Sequence, residues 1–159
     1  MKVFYSKIIL DMKRVCLDAC CLNRPFDDQE QARIHLESEA VRFILKHIGA
    51  GDFVWIGSDA LEYEIYQAPD ANRRTEMLFT MDIISETVES VHQDAGRIAE
   101  LVRLGFGPMD AVHLMCAEKA KVDVLLTTDD NFKKKGTMYS DKLKVRIENP
   151  VTWLQEVLA

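Results

Sequence analysis

The chain has 159 residues, 48% of them hydrophobic, which is enough for one packed domain. Lys and Arg number 20 against 26 Asp and Glu, a formal charge of −6 that excludes a protein holding nucleic acid by a basic surface alone. The longest apolar runs, such as Val122 to Leu126, are far shorter than the roughly 20 residues of a membrane span, and the N-terminus lacks a secretory pattern, so the expectation is a cytoplasmic protein without membrane association.

Met12-Lys13-Arg14 reads as a natural opening, with Met1 to Asp11 as an N-terminal extension or a start-codon misassignment. Arg14 to Leu17 is apolar enough for a buried strand, ends in Asp18, and gives way to the turn formers Asn23-Arg24-Pro25-Phe26-Asp27-Asp28. From Gln29 to Ile48, Ile34, Ala40, Val41, Ile44, Leu45 and Ile48 recur at helical spacing until Gly49-Ala50-Gly51. Phe53 to Ile56 reads as a second strand. Ser58 and Asp59 stand where N-caps belong, and a helix runs from Ala60 to Tyr66, ahead of Pro69.

Asn72 to Met81 is helical by pattern, Ile83 to Val88 is ambiguous, and Glu89 to Leu104 is helical until Gly105 and Gly107. Pro108 suits the first turn of a helix ending near Ala120. Val122 to Thr127 is the third strand and Lys144 to Ile147 a fourth, with a short amphipathic helix from Pro150. Apolar strands alternating with helices predict an α/β fold, a three-layer α/β/α sandwich on a central, mostly parallel sheet. Of the four cysteines, Cys16 and Cys116 fall in apolar runs and read as small core residues, and no C-x-x-C spacing points to zinc or redox chemistry.

In such sheets functional groups collect beyond the carboxyl ends of the strands. Asp18 ends the first strand, Asp129 the third, Glu64 lies on the helix after the second, and Asp110 lies in the first turn of the helix before the third. Clustered carboxylates repel unless a positive charge sits among them, and Mg²⁺ or Mn²⁺ suits an oxygen-rich set. Two such ions would bring the charge of −6 to −2.

Four segments, in order, resemble the PIN-domain family across Arg14 to Leu158. Val15 to Asn23 resembles its opening strand and first acid, and Ser58 to Ile65 its second acid. Gly107-Pro108-Met109-Asp110-Ala111-Val112-His113-Leu114 resembles its Asp-Ala-x-His-Leu segment, and Leu126 to Phe132 its closing Thr-x-Asp. The resemblance implies an endoribonuclease dependent on one or two Mg²⁺ or Mn²⁺ ions, roughly 3.5–4 Å apart where two bind, and a 5′-phosphate on the product. It assigns the catalytic and metal-binding roles to Asp18, Glu64, Asp110 and Asp129, with Thr127 orienting the site. Glu62 and Asp130 are second choices to Glu64 and Asp129, and Cys20 takes a position where the family often has a hydroxyl.

Small single-domain members of the family are commonly toxins of the VapC type, neutralised by a protein antitoxin, and commonly form homodimers. His113, among Val112, Leu114 and Met115, reads as a buried hydrogen-bonded histidine rather than a ligand. Arg24 and the run Lys133-Lys134-Lys135, placed in loops after the first and third strands, are candidates to grip RNA phosphates. Two rivals remain: an inactive module that binds RNA or protein, and a phosphoacceptor domain, which would need an acidic pair after the first strand where Asp18 stands alone.

Overall fold

The computed structural model describes residues 12–90 and 94–159, so the expected extension, Met1 to Asp11, lies outside the described residues. Five strands, β1 (Lys13–Leu17), β2 (Phe53–Ser58), β3 (Glu86–Val88), β4 (Val124–Leu126) and β5 (Arg146–Glu148), form one sheet in the order β3-β2-β1-β4-β5. All four pairings are parallel, with Leu17 opposite Leu126 across β1 and β4. The described helices are α1 (Ala19–Asn23), α2 (Ala32–Gly49), α3 (Asp59–Tyr66), α4 (Ala71–Thr80), α5 (Ala95–Arg103), α6 (Pro108–Lys119), α7 (Asp130–Met138) and α8 (Pro150–Val157). None is long and apolar enough to cross a membrane.

Successive strand residues face opposite sides of the sheet. Val15 and Leu17 of β1, Trp55 of β2, and Val124 and Leu126 of β4 pack with α1 to α4 and α8. Cys16, Ile56, Leu125 and Ile147 pack with α5, α6 and α7 on the other side. This is the expected three-layer sandwich. Burial pushes the Cys16 thiol up to about 12 and Cys116 up to about 11, in keeping with inert core thiols.

Two buried carboxylates tie neighbouring elements together, one on each side of the sheet. Glu37 of α2, 2% exposed, accepts from Arg24 and from the Asn149 side-chain amide at 2.6 Å, joining α2 to the turn before α8. Glu118 of α6 accepts twice from Arg97 of α5, at 2.8 and 2.9 Å, and once from the Lys144 backbone. Among the glycines, Gly136 is dictated by space: a Cβ there would meet Ile147 Cβ and Cδ1 at 2.7 Å. Gly136→Ala is therefore expected to push α7 off β5 and cost about 1–3 kcal/mol, read as a lower Tm by calorimetry; an unchanged Tm would show that the two elements can separate freely.

Several local expectations need correction. The ambiguous stretch contains a three-residue edge strand, β3, placed by pairing with β2 rather than by its own pattern. The helix expected from Glu89 begins at Ala95, where Asp94 accepts the Arg97 backbone N–H at 3.0 Å. The loop expected after β1 is instead helix α1 followed by a 3₁₀ turn, Arg24–Phe26. Lys133, Lys134 and Lys135 lie on helix α7, not in a loop.

Candidate metal centre

With β1 flanked by β2 on one side and β4 on the other, the strand order reverses between β1 and β4, the place where open α/β sheets form their crevice. Asp18 and Thr127 are the first residues beyond these two strands. Register holds them together: the Asp18 N–H donates to Leu126 O at 3.0 Å, and the Thr127 N–H donates to Glu148 O at 3.0 Å. The Thr127 hydroxyl donates to Asp18 Oδ2 at 3.1 Å, and its lone pairs face Cys20 Sγ at 3.2 Å and the Asp129 N–H at 3.1 Å. The Asp18 rotamer is thereby fixed on a carboxylate only 6% exposed.

Helix α3, capped by Ser58 Oγ accepting from the Leu61 N–H at 3.0 Å, carries Glu64 to the same point. Helix α6, started by Pro108, carries Asp110 and His113, three residues apart and therefore on one helix face. His113 is buried, as expected, but its partner is Glu64, with Nε2 3.1 Å from Oε2. One ligand atom from each of Asp18, Glu64 and His113 lies within 4.8 Å of the others. In the sequence His113 reads as a buried residue rather than a ligand; the signal for a place in this set is the spacing Asp110-x-x-His113, which puts an acid and an imidazole on one stripe of a helix.

Asp110 and Asp129 stand outside this set of three; the Asp110 charge reaches His113, and the Asp129 charge reaches Asp110. The Asp110 carboxyl is pushed up to about 6 by burial and by Asp18, Asp129 and Glu64 around it, with His113 acting in the opposite direction. Burial also raises Asp18, against the pull of His113 and the Thr127 hydrogen bond. Burial alone would hold His113 down, but the Glu64 hydrogen bond and the Asp18, Glu64 and Asp110 charges raise it above its ordinary value. Asp129 is exposed and caps α7, where Oδ1 accepts from the Asn131 and Phe132 backbones at 2.9 and 3.3 Å.

Among the described residues no Lys or Arg forms an ion pair with Asp18, Glu64, Asp110 or Asp129. The second choices are directed elsewhere. Asp130 accepts two 2.6 Å bonds from Arg33, and Glu62, two positions before Glu64, is exposed on another side of α3. The basic candidates differ among themselves: Arg24 is paired with Asp27 and Glu37, Lys133 with Glu148, Lys135 bonds to Gly105 O, and Lys134 is exposed. Uncompensated carboxylates with a buried imidazole among them fit a divalent cation, which would replace the proton on His113 as the local positive charge.

Beside Glu64 opens a cleft of about 430 Å³, lined by Cys20, Asn23, Gln67 and Arg73 among others. The Arg73 guanidinium is held in its wall by Phe26 O at 2.8 Å and by Asn23 and Asp27 at 3.3 Å.

No family model matches the chain, and no curated protein sequence does. Among solved structures it is similar to a chain of VapBC2 from Rickettsia felis, crystallised bound to a DNA fragment from their promoter. The TM-score is 0.52 and the identity 11%, over 86% of this chain and 98% of that one. At that identity the likeness is one of fold alone.

Proposed function

We propose that the chain is a PIN-like endoribonuclease that hydrolyses RNA phosphodiester bonds with Mg²⁺ or Mn²⁺ held among Asp18, Glu64, Asp110 and Asp129. The observation that carries this reading is the convergence of Asp18, Glu64 and His113 at the switch point between β1 and β4, with Asp110 close enough for the Asp18 and Glu64 charges to raise it and, among the described residues, no Lys or Arg paired with these acids. When bound, a divalent cation supplies charge stabilisation for the attacking and departing oxygens.

The protein's own part is positional. Thr127 holds Asp18 by its 3.1 Å hydrogen bond, and the cap on α7 sets Asp129 at the rim. Asp110, whose carboxyl is raised by burial and by the neighbouring carboxylates, would add a further oxygen donor to the ion. The cleft beside Glu64 takes the flanking nucleotide, and the exposed Lys134 contacts phosphate more readily than Arg24, Arg73 and Lys133, each of which is paired with a carboxylate.

A further part of the proposal is a cytoplasmic toxin that acts as a homodimer and has a small protein antitoxin as its partner; the likeness to a chain of VapBC2 supplies the fold for it. A neighbouring reading frame encoding a DNA-binding fold would support it, and harmless overexpression without any partner would sink it. For the nuclease itself, purified protein with Mn²⁺ should cut a varied RNA pool into fragments bearing 5′-phosphates, mapped by ligation-dependent sequencing. An uncut pool, with RNA or protein binding retained, would favour the inactive module instead.

A further inference from the structure

The imidazole among the acids says more about the cation than the acids do. We propose that His113 Nε2 is a direct ligand of the ion held by Asp18 and Glu64, so that the centre selects a first-row transition ion such as Mn²⁺ over Mg²⁺. The inference rests on the metal centre of the proposed function and deepens it.

Three geometric facts support direct ligation. Neighbouring ligands of an octahedral ion with bonds of about 2.1 Å lie about 3.0 Å apart, and opposite ligands about 4.2 Å. His113 Nε2 and Glu64 Oε2 are 3.1 Å apart, the spacing of two neighbouring ligands. All three donor atoms fall within 4.8 Å, so a small rotation of Glu64, the least buried of the three, would close the set around one ion. The donors also come from rigid elements: Asp18 is locked by Thr127 at the end of the central strand, and Glu64 and His113 stand on packed helices. Because His113 is 5% exposed, its ring is held in place whether or not an ion is bound.

The chemistry of such a set differs from that of carboxylates alone. Mg²⁺ is hard, keeps its water and favours oxygen, whereas transition ions accept imidazole nitrogen readily. One nitrogen beside two carboxylates therefore separates ions that four carboxylates would hold in a similar way.

Mn²⁺ itself is the probe. Electron spin-echo spectroscopy of the Mn²⁺-loaded protein should show modulation from a directly bound ¹⁴N, converted to the ¹⁵N pattern when the histidines are ¹⁵N-labelled. His113→Gln should remove the modulation and weaken Mn²⁺ binding about 10-fold or more, while Mg²⁺ binding changes less than about 2-fold. Bound Mn²⁺ without nitrogen modulation in the parent protein overturns the inference, and that measurement does not depend on the variant folding. Equal affinities for Mn²⁺ and Mg²⁺ in the parent protein also overturn it.

Cleavage assays run in parallel separate the two readings. RNA cutting without nitrogen modulation leaves the nuclease standing and removes His113 as a ligand; nitrogen modulation without cutting does the reverse.

Discussion

Asp18→Asn should lose RNA cleavage by about 10²-fold or more, beyond the 10- to 100-fold typical of groups that only support a metal ligand, while the cation-free protein becomes no less stable. The two effects have one cause. Asp18 is 6% exposed and burial raises its pKa, so its charge is unfavourable in the fold until a cation arrives. Asn keeps the shape and can still accept from the Thr127 hydroxyl, but brings no charge to the ion. Cleavage kinetics and thermal melts in chelator would check both effects together. An Asn variant that melts early yet cuts at the parent rate would assign Asp18 to structure.

Stability should depend on pH and on divalent cation in the same experiment. A carboxyl raised in the fold contributes stability that is complete below its unfolded pKa and lost as pH rises through the folded value. For Asp110 that window runs from 3.8 to about 6. Full burial would make such a displacement worth about 3 kcal/mol, and about 1–2 kcal/mol is expected because the carboxyl is partly open to water. His113, also raised, acts in the same direction, its contribution disappearing as pH rises through its folded value. Cation-free protein should therefore melt at a lower temperature at pH 7.5 than at pH 5. Mn²⁺ at about 100 times its Kd should restore about 2.7 kcal/mol at pH 7.5, some 5–10 °C in Tm for a chain of this length. Asp110→Asn should flatten the pH profile. A melting temperature that rises from pH 5 to pH 7.5 without cation would contradict the electrostatic picture of the site.

Much of the fold was legible because buried strands have few alternatives. Val15 to Leu17 and Val124 to Leu126 are apolar on both faces, as only a covered parallel sheet requires, and Ser58 and Pro108 mark helix starts by their own chemistry. What was hidden depends on tertiary neighbours. Glu86–Val88 is a strand because Ile56 to Ser58 offer it a free edge, and neither its length nor its pattern announces this. The lysine run reads as a loop in the sequence, whereas Phe132 and Gly136, buried against the sheet, make it a helix.

The candidate site divides in the same way. Asp18 is readable from its place after a central strand and Asp110 from the first turn of the helix that Pro108 opens, whereas Thr127, which reads as the last residue of a strand, enters only through the family resemblance. The role open to His113 was not readable, since an apolar neighbourhood in sequence describes the helix and not what faces it across the sheet edge. Only the fold brings Glu64, 49 positions away, to 3.1 Å from its ring.

The most direct measurement is RNA cleavage by protein stripped of metal, then supplied with Mn²⁺, then treated with excess chelator. Cutting that is absent at first, appears with Mn²⁺ and stops with chelator is the expected result. Cutting that proceeds at full rate in chelator, or is unaffected by Asp18→Asn, would contradict a cation-dependent nuclease built on these carboxylates.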